Sequence, residues 1–206
     1  MKKVAIILFV ALSLILTSCG SANTEEKAKS AYKSLNASAD ATDLVMSTVM
    51  SSWKFSIDSN KKYYNNFPGG CYAFAKTVGI PESIDVQEVM KSITKDTVYG
   101  SSSFAGLVFE EPSYCAACGI KCLEEADIIP KLDGAMNEAK DNIKEISDKN
   151  PNAKYLEGLK KYYSEVESYK EYSLNPTGSY IQAQSTAETY RANLKKYKND
   201  LSFDLD

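Results

Sequence analysis

Two apolar stripes near the C-terminus constrain the fold of this chain more than any other feature. The first runs Tyr155, Leu159, Tyr162, Val166, Tyr169, and the second Tyr180, Ala183, Ala187, Tyr190, Leu194, Tyr197, Leu201. Steps that alternate between three and four residues place each set on one face of a helix. Between them lies Asn175-Pro176-Thr177-Gly178-Ser179, a cluster of turn-forming residues ending in a good helix N-cap. The pattern predicts an antiparallel helical hairpin over 152–203, packed knobs into holes, with Ala183 and Ala187 leaving room for rings of the partner helix. Much of the chain's complement of 14 tyrosines falls here. A tyrosine buries a large ring and keeps a polar tip, so at helical spacing these read first as core residues and only second as ligand contacts.

Other segments carry similar signals. Glu25 to Asn60 is rich in Ala, Lys and Glu, with Leu35, Val45, Val49, Trp53 and Ile57 at or near one face. Its small, polar stretch Asn36 to Thr42 suggests a kink or a late start. Asn65-Asn66-Phe67-Pro68-Gly69-Gly70 should end it. Cys71 to Thr77 suits a short helix, and Ser83 could cap another over Ile84–Thr94, with Ile84, Val89, Met90 and Ile93 inward. Thr97 to Phe109 fits a loop, a hairpin or a short helix equally. Asp127 to Lys149 is helical again, with the stripe Leu132, Met136, Ala139, Ile143, Ile146. Pro130 suits its first turn, or a kink if the helix begins near Cys122. The expected fold is all-α: an up-and-down helical bundle with a C-terminal antiparallel helical hairpin and a cysteine-bearing irregular insertion over 65–122.

The N-terminus has a different character. Met1-Lys2-Lys3 precedes an apolar run from Val4 to Leu16, interrupted only by Ser13. This is the layout of a secretory signal peptide, and the run is shorter than the roughly 20 residues a membrane-crossing helix requires. Leu16-Thr17-Ser18-Cys19 follows, and it resembles the lipobox of bacterial prolipoproteins. The resemblance covers only about the first 20 residues. It implies cleavage after Ser18 and thioether attachment of diacylglycerol to Cys19, with two acyl chains giving stable anchoring. The domain reading is therefore a signal peptide at 1–18, a lipidated tether at 19–24 and one helical domain at 25–206. In lipoproteins of two-membrane bacteria an Asp after the cysteine favours inner-membrane retention; Gly20 here favours the outer membrane, if there is one. The expected location is the cell membrane or outer membrane, facing away from the cytoplasm.

Four further cysteines, Cys71, Cys115, Cys118 and Cys122, read in an exported chain as two disulfides. The preferred pairing is Cys115–Cys118 with Cys71–Cys122; Cys71–Cys115 and Cys71–Cys118 stay open. Cys118–Cys122 is least attractive, because residues one helical turn apart hold their Cβ atoms about 5–6 Å apart, wider than a disulfide spans. A Cys71–Cys122 bridge would close a loop of about fifty residues, with about 4 kcal/mol of chain-entropy stabilisation. Three other chemistries compete. Cys115-Ala116-Ala117-Cys118 could be a thiol-disulfide redox pair, although the strand-then-helix setting of such motifs is missing. Four thiols could hold zinc, but Cys71 stands alone rather than in a second Cys-x-x-Cys unit. An iron–sulfur cluster fits neither the spacing nor an oxidising compartment.

The chain contains no histidine, which excludes Ser-His and Cys-His nucleophiles, His-ligated metals and c-type haem attachment. Its net charge of −3 becomes more negative once Lys2 and Lys3 leave with the signal, arguing against nucleic-acid binding. Glu110-Glu111 and Glu124-Glu125 could serve carboxylate-based hydrolysis, but adjacent acids are common on solvated helix faces. A two-lobed solute receptor would need strand–helix alternation and more chain. The functional expectation is a non-enzymatic, cofactor-free lipoprotein with a binding or envelope role, contacting the membrane through its lipid and a protein partner through the segment 65–122. Phe104 and Phe109 are the candidate contact residues, against the simpler reading that both rings pack under their loop. The alternative is a redox protein using Cys115 and Cys118.

Overall fold

A computed structural model of the protein describes residues 22–59, 62–63, 66–94 and 105–205. Its described residues form seven α-helices and one 3-10 turn, with no strand. Helix α1 spans Ala22–Ser59, α2 Phe67–Val78, α3 Val86–Thr94, α4 Pro112–Glu125, α5 Ile128–Lys149, α6 Leu156–Leu174 and α7 Tyr180–Leu205; the 3-10 turn is Ala105–Glu110.

Helices α1, α5, α6 and α7 form an up-and-down bundle, and side-chain bonds give its register. Against α5, Lys27 pairs with Glu145 at 3.1 Å while Ser30 donates to Glu138 at 3.1 Å, so the two run antiparallel. Against α6, Asn36 accepts from Tyr162 and Asp43 from Tyr169, so these run parallel. Against α7, Tyr32 donates to the Lys198 carbonyl at 3.0 Å and Arg191 to Asp43 at 2.5 Å, antiparallel again. The expected hairpin of α6 and α7 is present, with Tyr169 and Tyr190 stacked at 5.0 Å between ring centroids. Ser179 caps α7 reciprocally: its Oγ accepts from Gln182 N, and Gln182 Oε1 accepts from Ser179 N.

Helix α1 is the axis, touching α2, α4, α5, α6 and α7. No kink or late start occurs at Asn36–Thr42; the helix runs unbroken through it. Ser38, Ala39, Ala41 and Thr42 are buried there, because a helix with neighbours on several sides needs small side chains for close approach. Three of its buried serines bond back along the helix: Ser38 donates to the Ser34 carbonyl, Ser52 to Thr48 and Ser59 to Phe55.

Helix α4 was not expected. It starts at Pro112 in the first turn, the position where a missing N–H costs nothing, and its inward face is Cys115, Cys118, Gly119, Cys122 and Leu123. It continues, through Asp127 in the left-handed region (φ 62°), into α5, so the two helices succeed one another along α1. Gly119 makes the contact with α1 close, since a Cβ there would sit 2.6 Å from Ser52 Oγ. The irregular insertion is thus mostly helical where described. Asp85, not Ser83, caps α3, accepting from Gln87 and Glu88 N–H. Helix α2 begins at Phe67, capped by Asn66, so Pro68 and Gly69 open a helix, while the previous one has already ended at Ser59.

The buried apolar residues fall into two cores. The larger runs through the bundle and contains the stripes of α5, α6 and α7. The smaller gathers α2, α3, the 3-10 turn, α4 and Phe55 near the end of α1. The molecule therefore has two poles. One holds the start of α1, the α5–α6 turn and the end of α7; the other holds the α6–α7 turn and the smaller core, the head.

Candidate functional site

The sequence singled out the cysteines, and the fold brings all four into the head. Cys71 comes from the first turns of α2; Cys115, Cys118 and Cys122 come from successive turns of α4. All four are buried in one core with Phe55, Phe74, Phe109, Val89 and Met90. They are free thiols, and the expected staple of Cys115–Cys118 with Cys71–Cys122 is not formed. The helix explains the first half of that correction. Residues three apart on α4 hold their Cβ atoms about 5–6 Å apart, as does any such helical pair, which is too wide for a disulfide.

Their surroundings disfavour the thiolate at Cys71, Cys115 and Cys118. Burial pushes the Cys71 thiol up to about 12, with the Asp85 carboxylate adding to it. Burial likewise raises Cys115 to about 12, against a small opposing pull from the Ser56 hydroxyl. The Cys115 thiol points at the carbonyls of Val108 and Phe109, at 3.8 and 3.9 Å. Cys118 is raised too, by its hydrogen bond with Cys122 and then by burial. A nucleophilic or redox-active cysteine needs the opposite, a depressed pKa and some exposure. No group of three or more Cys, Asp or Glu among the described residues is arranged to hold a metal. In this arrangement the cysteines act as small apolar side chains.

Phe109 is not a surface contact. It is 1% exposed, and its ring makes edge-on or tilted contacts with Phe55, Tyr63 and Phe67. Gly70 makes the seat, because a Cβ there would lie 2.2 Å from the ring. Phe104 lies outside the described residues. The paired acids do not face one another across a cleft: Glu124 is held by Lys121 at 2.7 Å on the surface, and Glu111 is exposed.

A polar network that the sequence reading passed over lies on the bundle. Asp43 of α1 accepts from Tyr169 of α6 at 2.8 Å and from Arg191 of α7, joining three helices. It borders a shallow cleft of about 260 Å³ that also takes in Asp40, Lys195 and Lys198. A second shallow cleft, about 310 Å³, lies between α6 and α7 beside Gly158 and Tyr197. Burial raises the Tyr169 hydroxyl's pKa, and its bond to Asp43 adds to this. These half-buried acceptors on α1 find their donors on other helices and so tie α6 and α7 to it at one register. Tyr162 and Tyr169 are fully buried, so the core reading of these two tyrosines holds. The signal for the network was present as Asp43 and Arg191, but nothing in either residue's local sequence identifies its partner.

Exposed apolar side chains are few and scattered: Leu44, Ile57, Tyr72, Ile181 and Phe203. No helix among the described residues is long and apolar enough to cross a membrane. No protein-family model, curated protein or solved structure matches the chain.

Proposed function

We propose that the protein is a lipid-anchored extracytoplasmic lipoprotein, not an enzyme, that carries a helical head away from the membrane for contact with a protein partner in the cell envelope. The observation that carries this reading is the signal-like N-terminus ending in Leu16-Thr17-Ser18-Cys19, followed closely by a stiff helix. Helix α1 starts at Ala22, so residues 22–24 are helix rather than tether. A chain anchored at Cys19 would hold the first pole of the bundle close to the bilayer and the head far from it. The 38 residues of α1 make a rod about 57 Å long at 1.5 Å per residue. The burial of all four thiols favours a structural head over thiol-disulfide chemistry.

The test is expression of the full chain in a bacterium fed an alkyne-tagged fatty acid, beside a Cys19→Ser variant. Label and detergent-phase partitioning in the first and neither in the second are expected. Equal partitioning without label in both would remove the anchor. Crosslinking on intact cells with the anchored chain as bait then tests the partner.

A further inference from the structure

We propose that the pole carrying the C-terminal turns of α7 is a second membrane contact, in which Phe203 inserts into the bilayer interface beside the lipid anchor. This rests on the lipid anchor proposed above and adds to it an orientation of the body. Three observations carry it.

The first is reach. Cys19 and Ala22 are three residues apart, so the chain between lipid and helix spans at most about 10 Å even when fully extended. A short link to a stiff helix keeps the neighbouring pole at the bilayer surface. The second is register. Tyr32 bonds the Lys198 carbonyl, and α7 continues past it to Leu205 in the direction of the start of α1. Leu201 packs beside Gly158 in the first turn of α6. Phe203 is thereby placed at the pole where the link ends. The third is exposure. Leu201 and Leu205 are buried on the inner face of α7, while Phe203 between them is 84% exposed, the most exposed large apolar side chain among the described residues.

A lone exposed Phe is ordinary on a soluble surface. Here its position gives it a neighbour of matching chemistry, because the headgroup–acyl boundary is where surface-lying helices bury their Phe, Trp and Leu side chains. The occupant is an apolar lipid boundary rather than an anionic headgroup, because the charges nearest Phe203 on the last turn of α7 are the carboxylates Asp200 and Asp204, which repel an anion.

The experiment uses the full lipidated chain in phosphatidylcholine vesicles with brominated acyl chains. Trp53→Phe removes the native indole, whose Nε1 is buried without a partner, and in that background F203W is compared with I181W at the opposite pole. The F203W emission should be quenched about twofold or more, as expected at interfacial depth, and should resist high salt; I181W should be unaffected. If the chain floats with the vesicles but F203W is unquenched, or is quenched no more than I181W, the second contact is overturned and the anchor stands. If the chain does not float, anchor and contact fall together.

Discussion

Replacing Gly119 with alanine measures how closely α4 lies on α1. An alanine in an exposed helix interior is worth about 1 kcal/mol over glycine, so propensity alone predicts stabilisation. Here the new Cβ would meet Ser52 Oγ at 2.6 Å and Thr48 Cγ2 at 3.0 Å. Ser52 is fully buried and its hydroxyl donates to the Thr48 carbonyl at 2.7 Å, so it moves only by giving up that bond. Overpacking of this kind costs about 1–3 kcal/mol, which outweighs the propensity gain and leaves a net loss of about 1 kcal/mol. Ser52→Ala removes the clashing oxygen, since Ser52 Cβ lies at an ordinary 3.8 Å. In that background only the 3.0 Å approach to Thr48 Cγ2 remains, so G119A should lose most of its penalty, giving a coupling of about 1 kcal/mol. The assay is urea denaturation followed by far-UV circular dichroism on the wild type, both single variants and the double. If G119A stabilises by the full propensity gain whichever residue stands at 52, the two helices are not in close contact and the placement of α4 is wrong.

Three further outcomes are expected. The head thiols should resist an aromatic disulfide reagent at pH 8 in the native protein and react in denaturant, because Cys71, Cys115, Cys118 and Cys122 are all buried; rapid native reaction of any of them would contradict the packed head. Stability should fall as pH rises above about 10, the ordinary tyrosine value: burial raises Tyr162 and Tyr169, and Tyr163 to about 12, so the unfolded chain loses these protons first. A double Tyr162→Phe, Tyr169→Phe variant should flatten that fall in alkaline denaturation curves. Ser179→Ala should cost about 1 kcal/mol by removing one half of the reciprocal cap on α7, read as a lower urea midpoint; no change would mean that the cap does not form in solution.

The parts legible in the sequence are those where large apolar residues keep a regular step. Leu132 to Ile146, Tyr155 to Tyr169 and Tyr180 to Leu201 announced α5, α6 and α7 because size and spacing agree there. Helix α4 was missed for a chemical reason. Cys115, Cys118 and Cys122 step by three and four, and Cys118 abuts Gly119, so its stripe is written in cysteine and glycine. Those residue types drew attention to bridges and metals instead of packing. The stretch Asn36 to Thr42 misled in the opposite way: small residues suggested weakness, whereas a helix with neighbours on several sides requires them. Phe109 was weighed as a contact because its seat, Gly70, is remote in sequence. Of the candidate site, the sequence revealed the participating cysteines but neither their bonding state nor the Asp43–Tyr169–Arg191 network, both of which depend on partners that only folding brings near.

The central position of α1 has a temporal consequence. Its hydrogen-bonding partners lie far along the chain, with separations of 108 to Glu138, 126 to Tyr162 and 148 to Arg191. Synthesis completes α1 first, yet it must wait for the last helix before it can be enclosed. Helical proteins dominated by local contacts fold fastest, and long loop closures slow the process. A nascent chain of this design can pack α1 against α4 and α5 early, but cannot finish enclosing it until α7 has been made.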